Sequence, residues 1–307
     1  MKRIVFMGTS SFAAEILKYL IENNYQIIAV ITQPDRLVGR KKQLKFSAVK
    51  ELALKYALTI IQPFNIKEDY FEVVNLQADL YLTCAYGQFL PQEIIDLNVV
   101  NIHASLLPKY RGGAPMHRAI INGDSETGIT LMKSSIKMDA GDIIASKSVS
   151  IDINDTTSIL EKKLIKASLE LLDSYLDNIL IGKITYTKQN ENEKTIAKII
   201  SSSDEYIDLN RDYNTVYNHI RGLIDWPVGY SFLKGKKFKF HKVEISDKIS
   251  RVPNGTIIGF DNEAMLIAID SKILRVLELQ IEGKTKISAK DFKNGAGKNL
   301  IGEKFDE

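Results

Sequence analysis

The chain has a single cysteine among its 307 residues. One thiol permits no internal disulfide and no structural zinc site. Cys84 closes an apolar run, so it is read as packed and unreactive. No run of about 18 apolar residues is present, which leaves no candidate membrane span. The N-terminus passes straight into Ile4-Val5-Phe6-Met7, too short and wrongly flanked for a secretory signal and without the Arg/Ser bias of a transit segment. The cytoplasm is the expected compartment. Glycine is missing where a dinucleotide fingerprint needs it: Gly8 stands alone, with Ser10 in the second glycine's place. No phosphate-binding P-loop occurs either, so no nucleotide cofactor is expected. Neither charge sign dominates, with 41 Lys and Arg against 38 Asp and Glu. Internal repeats and low-complexity tracts are also missing.

What is present is an ordinary globular composition, 45% hydrophobic and 26% charged, in a chain long for one domain and comfortable for two. The first part alternates strand and helix signals. An apolar run over 4–7 ends at Gly8, and Phe12, Ile16, Leu17, Leu20 and Ile21 then recur at helical spacing, with Ser10 or Ser11 as candidate cap. Strands are predicted over 27–32, 79–83 and 99–103, and helices over 47–56 and within 155–180. The late helix is expected to bury Ile159, Leu160, Leu164, Leu171, Leu172 and Tyr175. This alternation predicts an α/β fold with a doubly wound, mainly parallel sheet, whose ligands bind beyond the carboxyl ends of the strands. The polar stretch 191–205 reads as a linker. Beyond it, a helix carrying Val216, Tyr217, Ile220 and Leu223 precedes short strand patterns over 228–233, 237–243, 255–259, 264–268 and 273–280. Closely spaced short strands predict a small β-barrel.

The most informative stretch is Asn101-Ile102-His103-Ala104-Ser105-Leu106-Leu107-Pro108, directly after Val99-Val100. On a strand, Asn101 and His103 leave the same face. An amide donor beside an imidazole at a strand end can bind an oxyanion and move a proton. Met138-Asp139-Ala140-Gly141-Asp142 offers a carboxylate on a second tight turn. Each piece has an ordinary reading: Asn as a turn residue, a single His as structural, Asp139 as a turn former. The combination is more specific. Basic residues gather twice. Arg36, Arg40, Lys41, Lys42 and Lys45 share one loop, while Lys234, Lys236, Lys237, Lys239, His241 and Lys242 form a second basic run interleaved with Phe238 and Phe240. Two such runs suggest an extended polyanion. Phe238 and Phe240 are expected in the core, and Gly235 at the turn.

Asn101-x-His103-x-Ser105-Leu106-Leu107-Pro108-x-Tyr110-Arg111-Gly112 together with Asp139-x-Gly141-Asp142 resembles the active-site segments of the folate-dependent formyltransferases. Within that family the likeness is to the branch that acts on methionyl-tRNA, through Thr32-Gln33-Pro34-Asp35-Arg36, Cys84-Ala85-Tyr86-Gly87 and Gly123-Asp124-x-x-Thr127-Gly128. After about residue 190, Asp225-Trp226-Pro227 is the clearest remaining match. The resemblance implies a Rossmann-like formyltransferase domain over 1–189, a linker over 190–204 and an OB-like tRNA-binding domain over 205–307. It implies formyl transfer from 10-formyltetrahydrofolate to the α-amino group of initiator methionyl-tRNA. Asn101, His103 and Asp139 would be catalytic, Asn101 and protonated His103 as oxyanion donors and Asp139 as the partner of His103. Ser105, Leu106, Leu107 and Pro108, with Tyr86, Gly87 and Gln88, would line the folate pocket. Arg36, Arg40, Lys41, Lys42 and Lys45 would meet the acceptor end, and Lys234, Lys236, Lys237 and Lys239 the tRNA body. No metal is required, and a monomer is expected. Three alternatives stay open: a glycinamide ribonucleotide formyltransferase, an enzyme formylating an amino sugar nucleotide, and a catalytically idle RNA-binding protein.

Overall fold

The computed structural model describes residues 1–38 and 43–305. Arg40, Lys41 and Lys42 therefore lie outside the described residues. The chain divides into two compact units, one of Met1–Pro115, Thr127–Ser150 and Glu161–Ala197, the other of Met116–Glu126, Ile151–Leu160 and Lys198–Glu307.

The first unit starts with β1 (Arg3–Gly8), in which Ile4, Val5, Phe6 and Met7 are all fully buried. Such a strand is covered on both faces, as parallel sheets require. Helix α1 (Ser11–Glu22) follows, with the Ser10 side chain accepting the Ala13 N–H as its cap and Phe12, Ile16, Leu17 and Leu20 buried. Next come β2 (Gln26–Ile31), β3 (Arg36–Val38), β4 (Gln43–Lys45), α2 (Ala48–Lys55) and β5 (Ile60–Ile61). Residues 36–38 and 43–45 are thus strands and not loop. β3 and β4 pair antiparallel, Arg36 opposite Lys45 and Leu37 opposite Leu44. The short α3 (Tyr70–Val74) leads to β6 (Leu80–Cys84), and α4 (Gln92–Ile95) to β7 (Val99–His103).

Helix α5 (Pro115–Ile121) precedes β8 (Glu126–Lys133) and β9 (Ile143–Ser150), which the sequence patterns did not reveal. β8 buries six consecutive residues, so it shows no alternation to read. The seven-stranded sheet runs β5-β2-β1-β6-β7-β8-β9. Its pairs from β5 to β7 are parallel, and β7 meets β8 antiparallel. From β1 the chain winds one way to β2 and β5, then the other way to β6 and β7. The switch point therefore lies between β1 and β6. Helix α6 (Thr157–Leu180) buries Leu160, Leu164, Leu171, Leu172 and Leu176. Ile159 and Tyr175 are instead exposed at 41% and 38%. One residue along a helix turns the side chain by about 100°, enough to leave the buried stripe.

The second unit holds α7 (Tyr213–Leu223) and strands β10 (Tyr230–Leu233), β11 (Lys236–Glu244), β12 (Ile257–Phe260), β13 (Met265–Ile269), β14 (Lys272–Ile281) and β15 (Ile287–Ser288), followed by α8 (Ala289–Asn294). The strands form one curled antiparallel sheet, ordered β10-β11-β14-β13-β12 with β15 against β14, a small barrel-like domain. Phe238 sits at its centre, 5.1 Å from the Phe305 ring, 5.7 Å from Phe240 and 6.1 Å from Phe292. Alternation along β11 then leaves Lys237 and Lys239 on the outer side. Among the described residues no helix is long and apolar enough to cross a membrane.

Candidate active site

β7 lies between β6 and β8, with Asn101 opposite Thr83 on one side and Met132 on the other. The Thr83 hydroxyl donates to Asn101 Oδ1 at 2.8 Å. That bond fixes the carbonyl end of the amide and turns Nδ2 toward Asp139 Oδ1, 3.5 Å away. His103, two residues on, is buried, and its Nε2 lies 2.9 Å from the Tyr110 carbonyl oxygen. A carbonyl only accepts, so Nε2 carries the hydrogen. Nδ1 then faces Asp139 Oδ2 at 3.7 Å. Asp139 Oδ2 also accepts the Gly112 N–H at 2.8 Å. The structure thus brings Asn101, His103 and Asp139 together. Both imidazole nitrogens face protein groups, and the Asn101 amide nitrogen faces the same carboxylate as Nδ1.

The surrounding loops are tightly specified. Tyr110 and Asp139 have φ of 59° and 48°, a left-handed backbone held in both cases by neighbouring bonds. Gly112 has φ of 121°, and a Cβ there would lie 2.6 Å from the Ala197 carbonyl oxygen. A Cβ on Gly141 would lie 1.7 Å from Lys133 O. The stretch read as a linker is more than a tether. Thr195 O accepts the Arg111 N–H at 2.9 Å, the Ala197 N–H reaches Arg111 O at 2.7 Å, and Thr195 Oγ1 accepts the Tyr110 N–H at 2.8 Å. Arg111 is 4% exposed, and its Nε and Nη2 donate to Gln189 Oε1 at 3.0 and 2.7 Å. Nη2 also meets Glu191 at 2.7 Å. Those bonds, from Arg111 first and Lys194 second, hold the Glu191 carboxyl down at about 2. Sequence reasoning singled out neither Thr83 nor Gln189. Both are single polar residues in unremarkable surroundings, visible only through their partners.

The 105–109 turn is fixed from within. Ser105 is buried and its hydroxyl donates to Lys109 O at 2.6 Å, while Thr130 Oγ1 donates to Ser105 O at 2.7 Å. Leu107 is buried; Leu106 and Pro108 are partly exposed. After β6, the Tyr86 ring packs in the core with Val5, Met7, Ile31 and Val99. Burial pushes its phenol up, with Asp69 adding to the effect. Its carbonyl accepts Thr9 Oγ1 at 2.8 Å and Gln33 Nε2 at 3.3 Å. The Gln88 side chain is held by protein groups at both ends: Oε1 accepts the Ile66 N–H at 2.8 Å and Nε2 donates to Pro63 O at 3.2 Å. A cavity of about 450 Å³ opens at the switch point, between Thr9 and Ser10 after β1, Tyr86 and Gly87 after β6, and Arg36 and Lys45 of the hairpin.

In the second unit, Lys234 and Gly235 form the β10–β11 turn, with φ of 50° and 72°. Lys234 pairs with Glu303 at 2.8 Å, and Lys237 Nζ sits 4.1 Å from the Tyr230 ring centroid. Lys236 is exposed, and Lys239 is opposite Tyr230 in the strand register. Among the described residues no group of His, Cys, Asp and Glu side chains is arranged to hold a metal ion.

Comparison with known proteins adds to this geometry. Residues 1–176 match the family model described as formyl transferase, and 199–297 match that described as formyl transferase, C-terminal domain. The chain is 42% identical over 311 residues to the methionyl-tRNA formyltransferase of Streptococcus mutans, covering 99% of each chain. It is 43% identical over 312 residues to that of Macrococcus caseolyticus, covering 100% of each. The structure of an N-formyltransferase from Helicobacter canadensis, in complex with folinic acid and dTDP-3-aminofucose, superposes with a TM-score of 0.70 at 21% identity, over 90% of this chain and 99% of that one.

Proposed function

Because the chain belongs to the formyl transferase family in both its N-terminal and C-terminal parts, we propose that it transfers a formyl group from a folate donor, 10-formyltetrahydrofolate, to the α-amino group of initiator methionyl-tRNA. The observation that carries this reading is the end-to-end likeness to two enzymes named for that reaction. The chain's own residues suit the chemistry. As the amine adds to the formyl carbon, charge develops on the formyl oxygen. The Asn101 amide, oriented by Thr83, donates to it. His103 Nδ1 takes the proton released as the amine becomes an amide and returns it to the donor N10, whose bond to the formyl carbon breaks to release tetrahydrofolate; Asp139 opposite Nδ1 stabilises the charged ring in between. The Gly112 N–H holds the same carboxylate oxygen in place.

Two turns supply groups that support a folate site. Leu106 and Pro108 keep partly exposed apolar surface, and main-chain groups of the 85–87 and 105–109 turns can pair with a pterin edge. The acceptor end is assigned to the cavity beside Arg36 and Lys45, whose charges meet phosphate. Catalysis is assigned to residues 1–189 and general affinity for the tRNA body to 205–307, through Lys234, Lys236, Lys237 and Lys239, with 190–204 between. The test is formyl transfer by the purified protein from 10-formyltetrahydrofolate to methionyl-tRNA. Free methionine and an amino sugar nucleotide serve as competing acceptors. Preference for either of these over the charged tRNA would overturn the assignment.

A further inference from the structure

We propose that Gln189 is a positioning residue that sets the Asp139 carboxylate through the 139–141 turn, with buried Arg111 as its anchor. This rests on the reading that Asp139 works in formyl transfer. Ile143 and Thr187 exchange two backbone hydrogen bonds of 2.8 Å, which lays the chain leading to Gln189 alongside the turn before β9. Gln189 Nε2 then donates to Asp139 O at 2.9 Å and to Gly141 O at 2.7 Å. Its Oε1 accepts both Arg111 Nε and Nη2. A guanidinium only donates and a carbonyl only accepts, so this amide has one workable orientation.

The bonds close a ring. Arg111 orients Gln189, Gln189 holds the backbone of Asp139, Asp139 Oδ2 accepts the Gly112 N–H, and Gly112 is joined to Arg111 by a peptide bond. Asp139 is held at positive φ, a conformation a non-glycine residue leaves unless its surroundings over-determine it. Two carbonyls and one amide do so here. Without the amide donors the turn relaxes and the carboxylate drifts from His103, now 3.7 Å away.

Gln189→Glu separates the roles. It keeps the partner of Arg111 and the side-chain shape, but presents acceptors alone to the two carbonyls. In an enzyme shown to formylate methionyl-tRNA, this variant should melt near the wild-type temperature and retain KM for both substrates within about threefold. Its kcat should fall about 100-fold, the effect of displacing a catalytic group by an ångström. Arg111→Lys, which cannot present two parallel donors, should give the same pattern. In the Asp139→Asn background, Gln189→Glu should add little further loss, because both act through the Asp139 carboxylate. A folded variant with near wild-type kcat, a loss carried by KM, or losses that multiply in the double variant would each overturn the proposal. If Gln189→Glu does not fold, Arg111→Lys and its double variant decide by the same criteria. Failure of the wild type to formylate the charged tRNA would instead reject the functional reading beneath it.

Discussion

Asn101 offers the sharpest test of the chemistry, because its isosteric variant is expected to be no better than truncation. Asn101→Ala removes the amide that donates to the developing oxyanion. Loss of one such donor costs about 2.7–4 kcal/mol of barrier, or roughly 100- to 1000-fold in kcat. The fold should tolerate it, since the Thr83 hydroxyl also lies 3.4 Å from Val100 O and keeps an acceptor. Asn101→Asp keeps the shape and still accepts from Thr83. It replaces the Nδ2 donor with oxygen and sets a second carboxylate about where that amide now stands, 3.5 Å from Asp139 Oδ1. The donor is lost and like charges adjoin, so Asp should lower kcat at least as far as Ala. KM for the folate donor should change little in both. Single-turnover formylation of methionyl-tRNA, with thermal melting to verify folding, measures this. A folded Asn101→Asp enzyme within about fivefold of wild type would refute the role of the amide as oxyanion donor.

Gly112→Ala should disrupt the site severely: the new methyl carbon meets the Ala197 carbonyl at 2.6 Å and φ of 121° excludes an L side chain, so activity and melting temperature should fall together, and an unaffected variant would contradict the loop geometry. His219 lies against Asp204 O at 2.8 Å, and burial holds its pKa below the ordinary 6.5. The unfolded chain then binds the proton first, so this contribution to stability is complete above about pH 6.5 and is lost as pH falls toward the depressed value. His219→Gln keeps a donor for that carbonyl and should lose less melting temperature between pH 7.5 and 5.5; equal losses would remove His219 from the acid response. Replacing Lys236, Lys237 and Lys239 with Gln should weaken tRNA binding and reduce the salt slope by about 0.7–0.9 for each phosphate no longer neutralised, and an unchanged slope would mean that this strand does not meet the tRNA.

Much of the architecture follows from short-range pattern. Unbroken apolar runs such as Ile4 to Met7 demand a strand covered on both faces, and β–α alternation then allows few arrangements besides a parallel sheet. The strict alternation of Phe238 and Phe240 with Lys237 and Lys239 was enough to put the rings inside and the charges outside. Asn101 and His103 share a face because strand geometry has period two. What pattern does not carry is the partner of a polar side chain far along the chain. Asp139 beside His103, Gln189 gripping the 139–141 turn from Arg111, and Gln88 tied to Ile66 are each decided by where loops close. Tyr86 stands in a motif that pointed to a ligand wall, yet its ring packs in the core. β3 and β4 pair as strands of only three residues each, too short for periodicity to declare. Local propensity and hydrophobic spacing act over a few residues, whereas hydrogen-bond partners are chosen by the assembled backbone, so the tertiary structure alone decided which distant polar groups meet.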